Sequence, residues 1–153
     1  MVSLDKSKAI LVVEDSTPDY ESILRAFKKM GINNPVYRCE CGEDALDYLR
    51  QTNKYQDAEK APRPGIVLLD LNLPGLDGRS VLKQIKNDSK LRAIPVIVLT
   101  TSTSDKDIEE CYNNGANSYM VKPVDWEKFL ESMRSLKEFW LQTAVLPNKE
   151  AFI

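Results

Sequence analysis

Short apolar runs recur along the chain, and segments with helically spaced apolar residues separate them. The runs cover residues 8–13, 36–39, 66–69, 95–99 and 118–121. The long apolar runs within 8–13, 66–69 and 95–99 are typical of strands buried on both faces, as in a parallel sheet covered by helices, and 36–39 and 118–121 are shorter strands. Five strands alternating with five helices predict right-handed crossovers and a doubly wound α/β fold.

The predicted helices cover residues 16–30, 42–51, 81–86, 105–114 and 126–140. Pro18 suits a first helical turn, and Gly31 and Gly115 are typical residues after a helix end. Cys111 and Tyr112 are expected to face inward with Ile108. The last helix carries an apolar stripe made of Trp126, Phe129, Leu130, Met133, Leu136 and Trp140. Residues 52–64 show no usable period, so we expect an exposed, weakly constrained connection there.

Composition favours one globular domain and argues against several function classes. The chain has 153 residues, 42% of them hydrophobic and 29% charged, with a net charge of −2. That charge gives no support to direct nucleic-acid binding. No apolar run approaches the roughly 20 residues of a membrane span, and the N-terminus lacks the apolar core of a signal peptide. We therefore expect a cytoplasmic protein without a membrane segment.

Cysteine and histidine usage limits the chemistry further. Cys39, Cys41 and Cys111 are odd in number and form no C-x-x-C pattern, which favours small apolar roles over a disulfide frame or a zinc site. The chain has no histidine, so Ser-His-Asp and Cys-His catalysis are excluded and any metal must be held by oxygen. Glycine motifs for dinucleotide or P-loop binding are also missing.

Polar side chains follow four of the five predicted strands. They are Glu14 and Asp15, Asp70, Thr100 and Lys122. Each by itself is also explained as a helix cap, a loop cap or a solvated strand end. Because parallel strands share a carboxyl edge, however, all five are expected to converge in one crevice.

Such a crevice suits phosphoryl chemistry on a carboxylate. Clustered carboxylates repel one another unless a cation lies among them, and an all-oxygen set suits Mg²⁺. Lys122 and Thr100 would then neutralise and hydrogen-bond a phosphoryl group. Asp70 would be the nucleophile.

Four motifs contain these polar residues: Val12-Val-Glu-Asp15, Leu69-Asp-Leu-Asn-Leu-Pro-Gly-Leu-Asp-Gly78, Val98-Leu-Thr100 and Val121-Lys-Pro123. As a set they resemble the motifs of the receiver domain of two-component response regulators. The resemblance covers about residues 7–140 and implies the flavodoxin-like strand order 2-1-3-4-5. On this basis residues 1–153 form a single receiver domain with a C-terminal extension at 141–153 and no output domain.

The resemblance also implies a ligand set for Mg²⁺ and a phosphate acceptor. Asp70 would accept the phosphoryl group. Asp15, Asp70 and the backbone carbonyl of Asn72 would hold the metal, and Glu14 would assist through water.

The same resemblance implies a switch. Thr100 and Lys122 would bind the phosphoryl oxygens, and Tyr119 would be the aromatic residue that turns inward. It further implies a cis peptide bond between Lys122 and Pro123. One residue departs from the common pattern: Thr101 stands where many receivers have alanine or glycine, and its bulk is expected to narrow access to Asp70.

The polar connection before the third strand and the tail at 138–147 resemble single-domain regulators paired with cyanobacterial phytochromes. The implied partner is therefore a histidine kinase of phytochrome type, which phosphorylates Asp70. An alternative is an aspartyl-phosphate hydrolase of the haloacid-dehalogenase type, but its D-x-D motif has Asn72 in the second acid position. A non-phosphorylated pseudo-receiver scaffold would require a lost site residue, and none is missing.

The C-terminal region also predicts a homodimer. Phe139, Trp140 and Leu141 are consecutive, and three adjacent helical residues span about 200° of a helical wheel, so they cannot all face one core. Val145 and Leu146 add apolar area. Exposed apolar patches usually mark an interface, although a tail folded back onto its own domain is the alternative.

Overall fold

A five-stranded parallel sheet forms the centre of the protein. The structure is a computed structural model and describes residues 8–147. The strands are β1 (Ala9–Val13), β2 (Val36–Cys39), β3 (Pro64–Leu69), β4 (Val96–Thr100) and β5 (Ser118–Val121). They lie in the order β2-β1-β3-β4-β5, and every neighbouring pair is parallel. The predicted fold class and strand order are confirmed.

A helix follows each strand. The helices are α1 (Thr17–Lys29), α2 (Gly42–Arg50), α3 (Gly78–Asn87), α4 (Asp105–Asn113) and α5 (Trp126–Leu136). Side-chain caps set several of their starts: Ser16 Oγ accepts from the Asp19 amide over 3.3 Å, and Asp77 Oδ1 accepts from the Arg79 amide over 2.8 Å. These caps satisfy amides that have no partner within the helix. They also fix where the chain leaves the carboxyl edge of the sheet.

The sheet separates two apolar cores. One side packs β1, β3 and β4 against α2, α3 and α4, with fully buried residues such as Leu69, Leu82 and Ile85. The other side packs the same strands against α1 and α5, through residues such as Ile23 and Met133. Because both faces are covered, the central strands carry the uninterrupted apolar runs seen in the sequence.

The connection between α2 and β3 is more constrained than its sequence indicated. A short 3₁₀ turn covers Asn53–Tyr55, and Ala61 is fully buried. The Tyr48 hydroxyl donates to the Pro62 carbonyl and Gln51 Nε2 donates to the Ala61 carbonyl, each over 2.9 Å. Most of residues 52–60 are exposed as expected, but the end of the connection is held by donors from Tyr48 and Gln51 that no local sequence period reveals.

The end of α5 continues into a π-helical segment, Lys137–Thr143. Leu136 and Leu141 are both buried although they lie five residues apart. An α-helix would place them on different sides, whereas the wider π turn brings residues five apart to one face. The predicted apolar stripe of α5 is confirmed, since its members are buried or pack against the core on that side.

Exposed and packed side chains stand next to each other between Phe139 and Leu146. Phe139 is 53% exposed and Val145 is 96% exposed, while Trp140 and Leu146 pack against the core. The tail therefore folds back over its own domain only in part.

On α4, Tyr112 is 49% exposed, so the expectation that it faces inward with Cys111 is wrong. Within residues 8–147, no helix is long and apolar enough to cross a membrane.

Candidate functional site

Three carboxylates meet at the carboxyl edge of the sheet. Glu14 and Asp15 follow β1 and Asp70 follows β3, and one oxygen from each lies within 4.8 Å of the others. Glu14 and Asp70 are buried, at 2% and 8% exposure, whereas Asp15 is exposed. The predicted convergence of these acids is present in the structure, because neighbouring parallel strands end at one edge.

Lys122, at the end of β5, reaches into this acid cluster. Its ammonium group donates to Glu14 Oε1, to Asp19 Oδ2 over 3.0 Å and to Asp70 Oδ2 over 3.3 Å. The side chain is only 10% exposed. Sequence reasoning found the lysine but missed Asp19, whose position in the first turn of α1 reads as ordinary helix-start chemistry.

Burial and the neighbouring charges shift the pKa values of Glu14 and Lys122 in opposite directions. Burial raises the pKa of Glu14 to about 7, although its contact with Lys122 opposes the shift. Burial by itself lowers the pKa of Lys122, but its contact with Glu14 and the charge of Asp70 raise that pKa above its usual value. Lys122 is therefore held as an ammonium, and Glu14 is easier to protonate than an ordinary glutamate.

Thr100 and Tyr119 are linked through the loop between β4 and α4. Thr100 is fully buried at the end of β4, and its Oγ1 accepts a hydrogen bond of 3.4 Å from the Ser102 amide. The Tyr119 hydroxyl donates to the Ser102 carbonyl over 3.0 Å, and its ring packs against the core beneath α4. The two predicted switch residues thus contact the same loop residue.

The loop after β3 surrounds Asp70 with backbone groups. The amide of Asn72 donates to Asp70 Oδ1 over 3.3 Å, and Asn72 itself is exposed. At Gly78, a Cβ atom would lie 2.1 Å from the Asp70 carbonyl oxygen, so only glycine fits where α3 begins. The motif residues after Asp70 therefore shape a tight turn that brings α3 against the acid.

The predicted cis peptide bond between Lys122 and Pro123 is wrong. No peptide bond among the described residues is cis, so the bond between Lys122 and Pro123 is trans. An X–Pro bond prefers trans by about 0.5–1 kcal/mol unless its surroundings select cis. Lys122 reaches Glu14 and Asp70 with the trans bond.

Arg79 and Asp107 form a second polar group that sequence reasoning missed. Asp107 on α4 accepts from the guanidinium of Arg79 on α3 and from the Ser102 hydroxyl, the latter over 2.7 Å. The hydrogen bonds from Arg79 and Ser102 hold the pKa of Asp107 at about 2. Neither Arg79 nor Asp107 directly follows a predicted strand, so a search for polar residues at strand ends does not find them.

The donor chemistry of the cluster fits a divalent cation. All three candidate ligand atoms are carboxylate oxygens, which hard cations such as Mg²⁺ and Mn²⁺ prefer. The Lys122 ammonium contacts two of the three acids, which shows that the cluster attracts positive charge.

An open cavity of about 300 Å³ lies beside this cluster, between α1 and α5. Its lining combines Asp19 and Lys122 with an apolar floor that includes Ile23, Trp126 and Phe129. Thr101 is exposed and forms part of its wall. The cavity therefore reaches the cluster at Asp19 and Lys122.

Comparison with known proteins agrees with this geometry. Residues 10–134 match the response regulator receiver domain. The chain is 45% identical over 132 residues to the probable methanogenesis regulatory protein FilR2 of Methanothrix harundinacea (strain 6Ac), covering 86% of this chain and 83% of FilR2.

Two solved structures of phytochrome-associated or related regulators are also similar. The Mn²⁺-bound form of response regulator Rcp1, a protein of Synechocystis sp., has 38% identity and a TM-score of 0.84, covering 92% of this chain and 99% of that one. The phosphorylated cyanobacterial phytochrome response regulator RcpA has 39% identity and a TM-score of 0.86, covering 93% and 99%. The chain belongs to the response regulator receiver domain family.

Proposed function

We propose that this protein is a phosphorylation switch in which Asp70 accepts a phosphoryl group from the phosphohistidine of a partner kinase. The observation that carries the proposal is the convergence of Glu14, Asp15, Asp70 and Lys122 at one edge of the sheet. These 153 residues contain no histidine, so the phosphohistidine donor lies outside them.

In the transfer, an Asp70 carboxylate oxygen attacks phosphorus, the oxygen–phosphorus bond forms, and the bond from phosphorus to the donor nitrogen breaks. Lys122 stands 3.3 Å from Asp70 Oδ2, where its ammonium balances the charge of the incoming group. The bulk of the exposed Thr101 would narrow the donor's access to Asp70 relative to a smaller residue.

We assign the divalent cation site to Asp15, Asp70 and the carbonyl of Asn72, with Glu14 assisting through water. The natural ion would be Mg²⁺, and the Mn²⁺-bound form of Rcp1 supports a divalent cation. When bound, the cation supplies charge compensation between the carboxylates and the phosphoryl group. Asp15 is the exposed member and is therefore the ligand on the solvent side.

Phosphorylation would act on the loop after β4. A phosphoryl group adds about −1.5 to −2 charge and attracts the Thr100 hydroxyl. Since Ser102 is bonded to both Thr100 and Tyr119, movement of Thr100 would be passed to the Tyr119 ring. The surface formed by α4, β5 and α5 would then change its affinity for partners.

The partner kinase is proposed to be of phytochrome type and the site of action cytoplasmic. The likeness to RcpA, a cyanobacterial phytochrome response regulator, supports the phytochrome assignment. FilR2, at 45% identity, is named for a different process, so a kinase panel should include a non-phytochrome kinase.

Homodimerisation is proposed through the C-terminal region. The patch consists of Phe139 and Val145, which remain exposed while their neighbours Trp140 and Leu146 pack inward. A two-fold pair is the simplest closed arrangement that would cover it.

Label transfer tests the function. Candidate kinases are phosphorylated with labelled ATP and mixed with wild-type protein or with Asp70→Asn in the presence of Mg²⁺. Base-labile label is expected on the wild type only, because an amide is not a nucleophile. Equal labelling of Asp70→Asn would remove Asp70 from its role, and multiple turnovers of a phosphate ester would favour the hydrolase alternative.

A further inference from the structure

Arg38 on β2 binds the backbone that carries two of the three clustered acids. Its Nε donates to the Glu14 carbonyl over 3.0 Å, and its Nη2 donates to the Asp15 carbonyl over 3.2 Å. Nη2 also lies 3.2 Å from Thr17 Oγ1 at the start of α1. A single guanidinium thus contacts three successive parts of the turn between β1 and α1.

The position of that guanidinium is itself well defined. The side chain is 18% exposed, and its Cζ lies 4.7 Å from the centre of the Tyr20 ring. Glu40 Oε1 lies 3.4 Å from Nη2 and supplies an opposite charge. Stacking on an aromatic ring and fixed donor directions are properties that lysine does not reproduce.

The orientation of the acids depends on this turn. Glu14 is buried and also tied to Lys122, but Asp15 is exposed, and no hydrogen bond to its carboxylate was found among the described residues. Its carbonyl is held by Arg38, and its carboxylate oxygen nevertheless lies within 4.8 Å of those of Glu14 and Asp70. Together with the bond of 3.0 Å from the Glu14 amide to the Cys39 carbonyl, the Arg38 contact fixes the backbone from which the Asp15 side chain leaves.

We propose that Arg38 is a positioning residue for the divalent cation, holding the Glu14–Asp15 backbone so that both carboxylates face Asp70. This inference rests on the cation site of the proposed function. Groups that orient metal ligands from outside typically change metal affinity 10- to 100-fold when they are replaced.

A charge effect and a positioning effect of Arg38 predict opposite changes in Mg²⁺ affinity when Arg38 is replaced, which makes the proposal testable. If Arg38 acted mainly as a nearby positive charge, it would repel the cation, and its neutralisation would tighten binding. If Arg38 acts by positioning, both Arg38→Gln and Arg38→Lys weaken Mg²⁺ binding. Neither replacement side chain can donate to the Glu14 and Asp15 carbonyls with the fixed geometry of a guanidinium.

Isothermal titration of the full chain with MgCl₂ distinguishes these cases. We expect the dissociation constant to rise about tenfold for Arg38→Lys and for Arg38→Gln. The matched control is Arg63→Lys: Arg63 donates to the Lys90 carbonyl over 2.7 Å before β3, away from the acids, and should bind Mg²⁺ like the wild type. Unchanged or tighter binding by both Arg38 variants would overturn the proposal.

Thermal unfolding in EDTA and in saturating Mg²⁺ separates positioning from general stabilisation. The Arg38 variants should lose part of the rise in midpoint that Mg²⁺ gives the wild type at a fixed concentration. An identical loss of midpoint in both conditions would indicate a structural role only. Absence of Mg²⁺ binding in the wild type would instead contradict the cation site itself, as would unchanged binding in Asp15→Asn.

Discussion

Arg79 on α3 and Asp107 on α4 form a two-point ion pair, in which Nε donates to Oδ1 over 2.8 Å and Nη2 donates to Oδ2 over 2.7 Å. Asp107 Oδ2 also accepts a hydrogen bond from the Ser102 hydroxyl. The backbone carbonyl of Ser102 in turn accepts a hydrogen bond from the Tyr119 hydroxyl. The pair therefore tethers the loop that leads from Thr100 to α4. Bidentate pairs between guanidinium and carboxylate combine charge with a defined geometry.

Replacing Asp107 should loosen this loop. We expect Asp107→Asn to lower the free energy of unfolding by about 1–2 kcal/mol, since hydrogen bonds to charged groups contribute more than neutral ones but the pair is partly solvated. Amide exchange at Ser102 and Ser104 should accelerate. Asp105→Asn, an exposed acid in the same helical turn, serves as the control in urea unfolding and hydrogen exchange. Unchanged exchange in Asp107→Asn would contradict the tether.

The same pair predicts a pH dependence. The Arg79 guanidinium holds the pKa of Asp107 at about 2, below the ordinary value of 3.8. A carboxyl group with a lowered pKa stabilises the folded state above its ordinary pKa, and that stabilisation is lost as the pH falls through the lowered value. The stability difference between wild type and Asp107→Asn should thus be full at pH 6 and shrink between about pH 4 and pH 2. A difference independent of pH would show that the charge of Asp107 does not contribute.

Lys122→Ala should lower the stability of the folded protein and make that stability depend on a divalent cation. The substitution leaves Glu14, Asp19 and Asp70 without their shared ammonium, and breaking a buried ion pair is costly because a charge stays behind. We expect a loss of about 2–3 kcal/mol in EDTA, partly restored by Mg²⁺. Label transfer to Asp70 should persist in part, but the phosphorylation-dependent change in partner binding should be lost.

Lys54→Ala is the matched control for this experiment. Lys54 forms an ion pair of 3.0 Å with Asp44, but on an exposed surface. Its removal should change stability little and in a manner independent of Mg²⁺. Equal responses of the two variants to Mg²⁺ would refute the special position of Lys122.

The three cysteines should differ in reactivity. Burial raises the pKa of Cys39 to about 12 and that of Cys111 to about 11, whereas Cys41 is partly exposed. Because the thiolate is the nucleophile, iodoacetamide at pH 8 should modify Cys41 first in the native protein. Peptide mass mapping at increasing times gives the order, and unfolding in urea should equalise the three rates. Early modification of Cys39 would contradict the burial of this residue at the end of β2.

Exposed apolar residues near the C-terminus should control self-association. Phe139→Asp and Val145→Asp are expected to shift sedimentation equilibrium toward monomer, because each places a charge in the proposed patch. Val124→Asp is the control, since Val124 is fully exposed at the other end of α5. Removing the tail after residue 137 is less informative, because Leu141 is buried and its loss would damage the core. A monomeric wild type at tens of micromolar, with and without phosphodonor, would reject the dimer.

The sequence by itself determined the fold class and the main members of the site. Apolar runs marked five strands, and the structure confirms them with boundary shifts of at most two residues; β1, β3 and β4 are fully buried, whereas the edge strands β2 and β5 are only partly buried. Asp70, Thr100 and Lys122 were recognisable because each directly follows such a run. The parallel arrangement of the strands is sufficient to bring those ends together.

Tertiary structure decided the contacts that orient these residues. Asp19, Arg38 and Asp107 each have at least one side-chain partner 21 or more residues away, and their local sequence is equally typical of exposed positions. The trans bond before Pro123 and the π turn that buries Leu141 likewise depend on how neighbouring elements pack. Local periodicity reports which face of an element is buried, whereas the distances between polar atoms are set only when all the elements are in place.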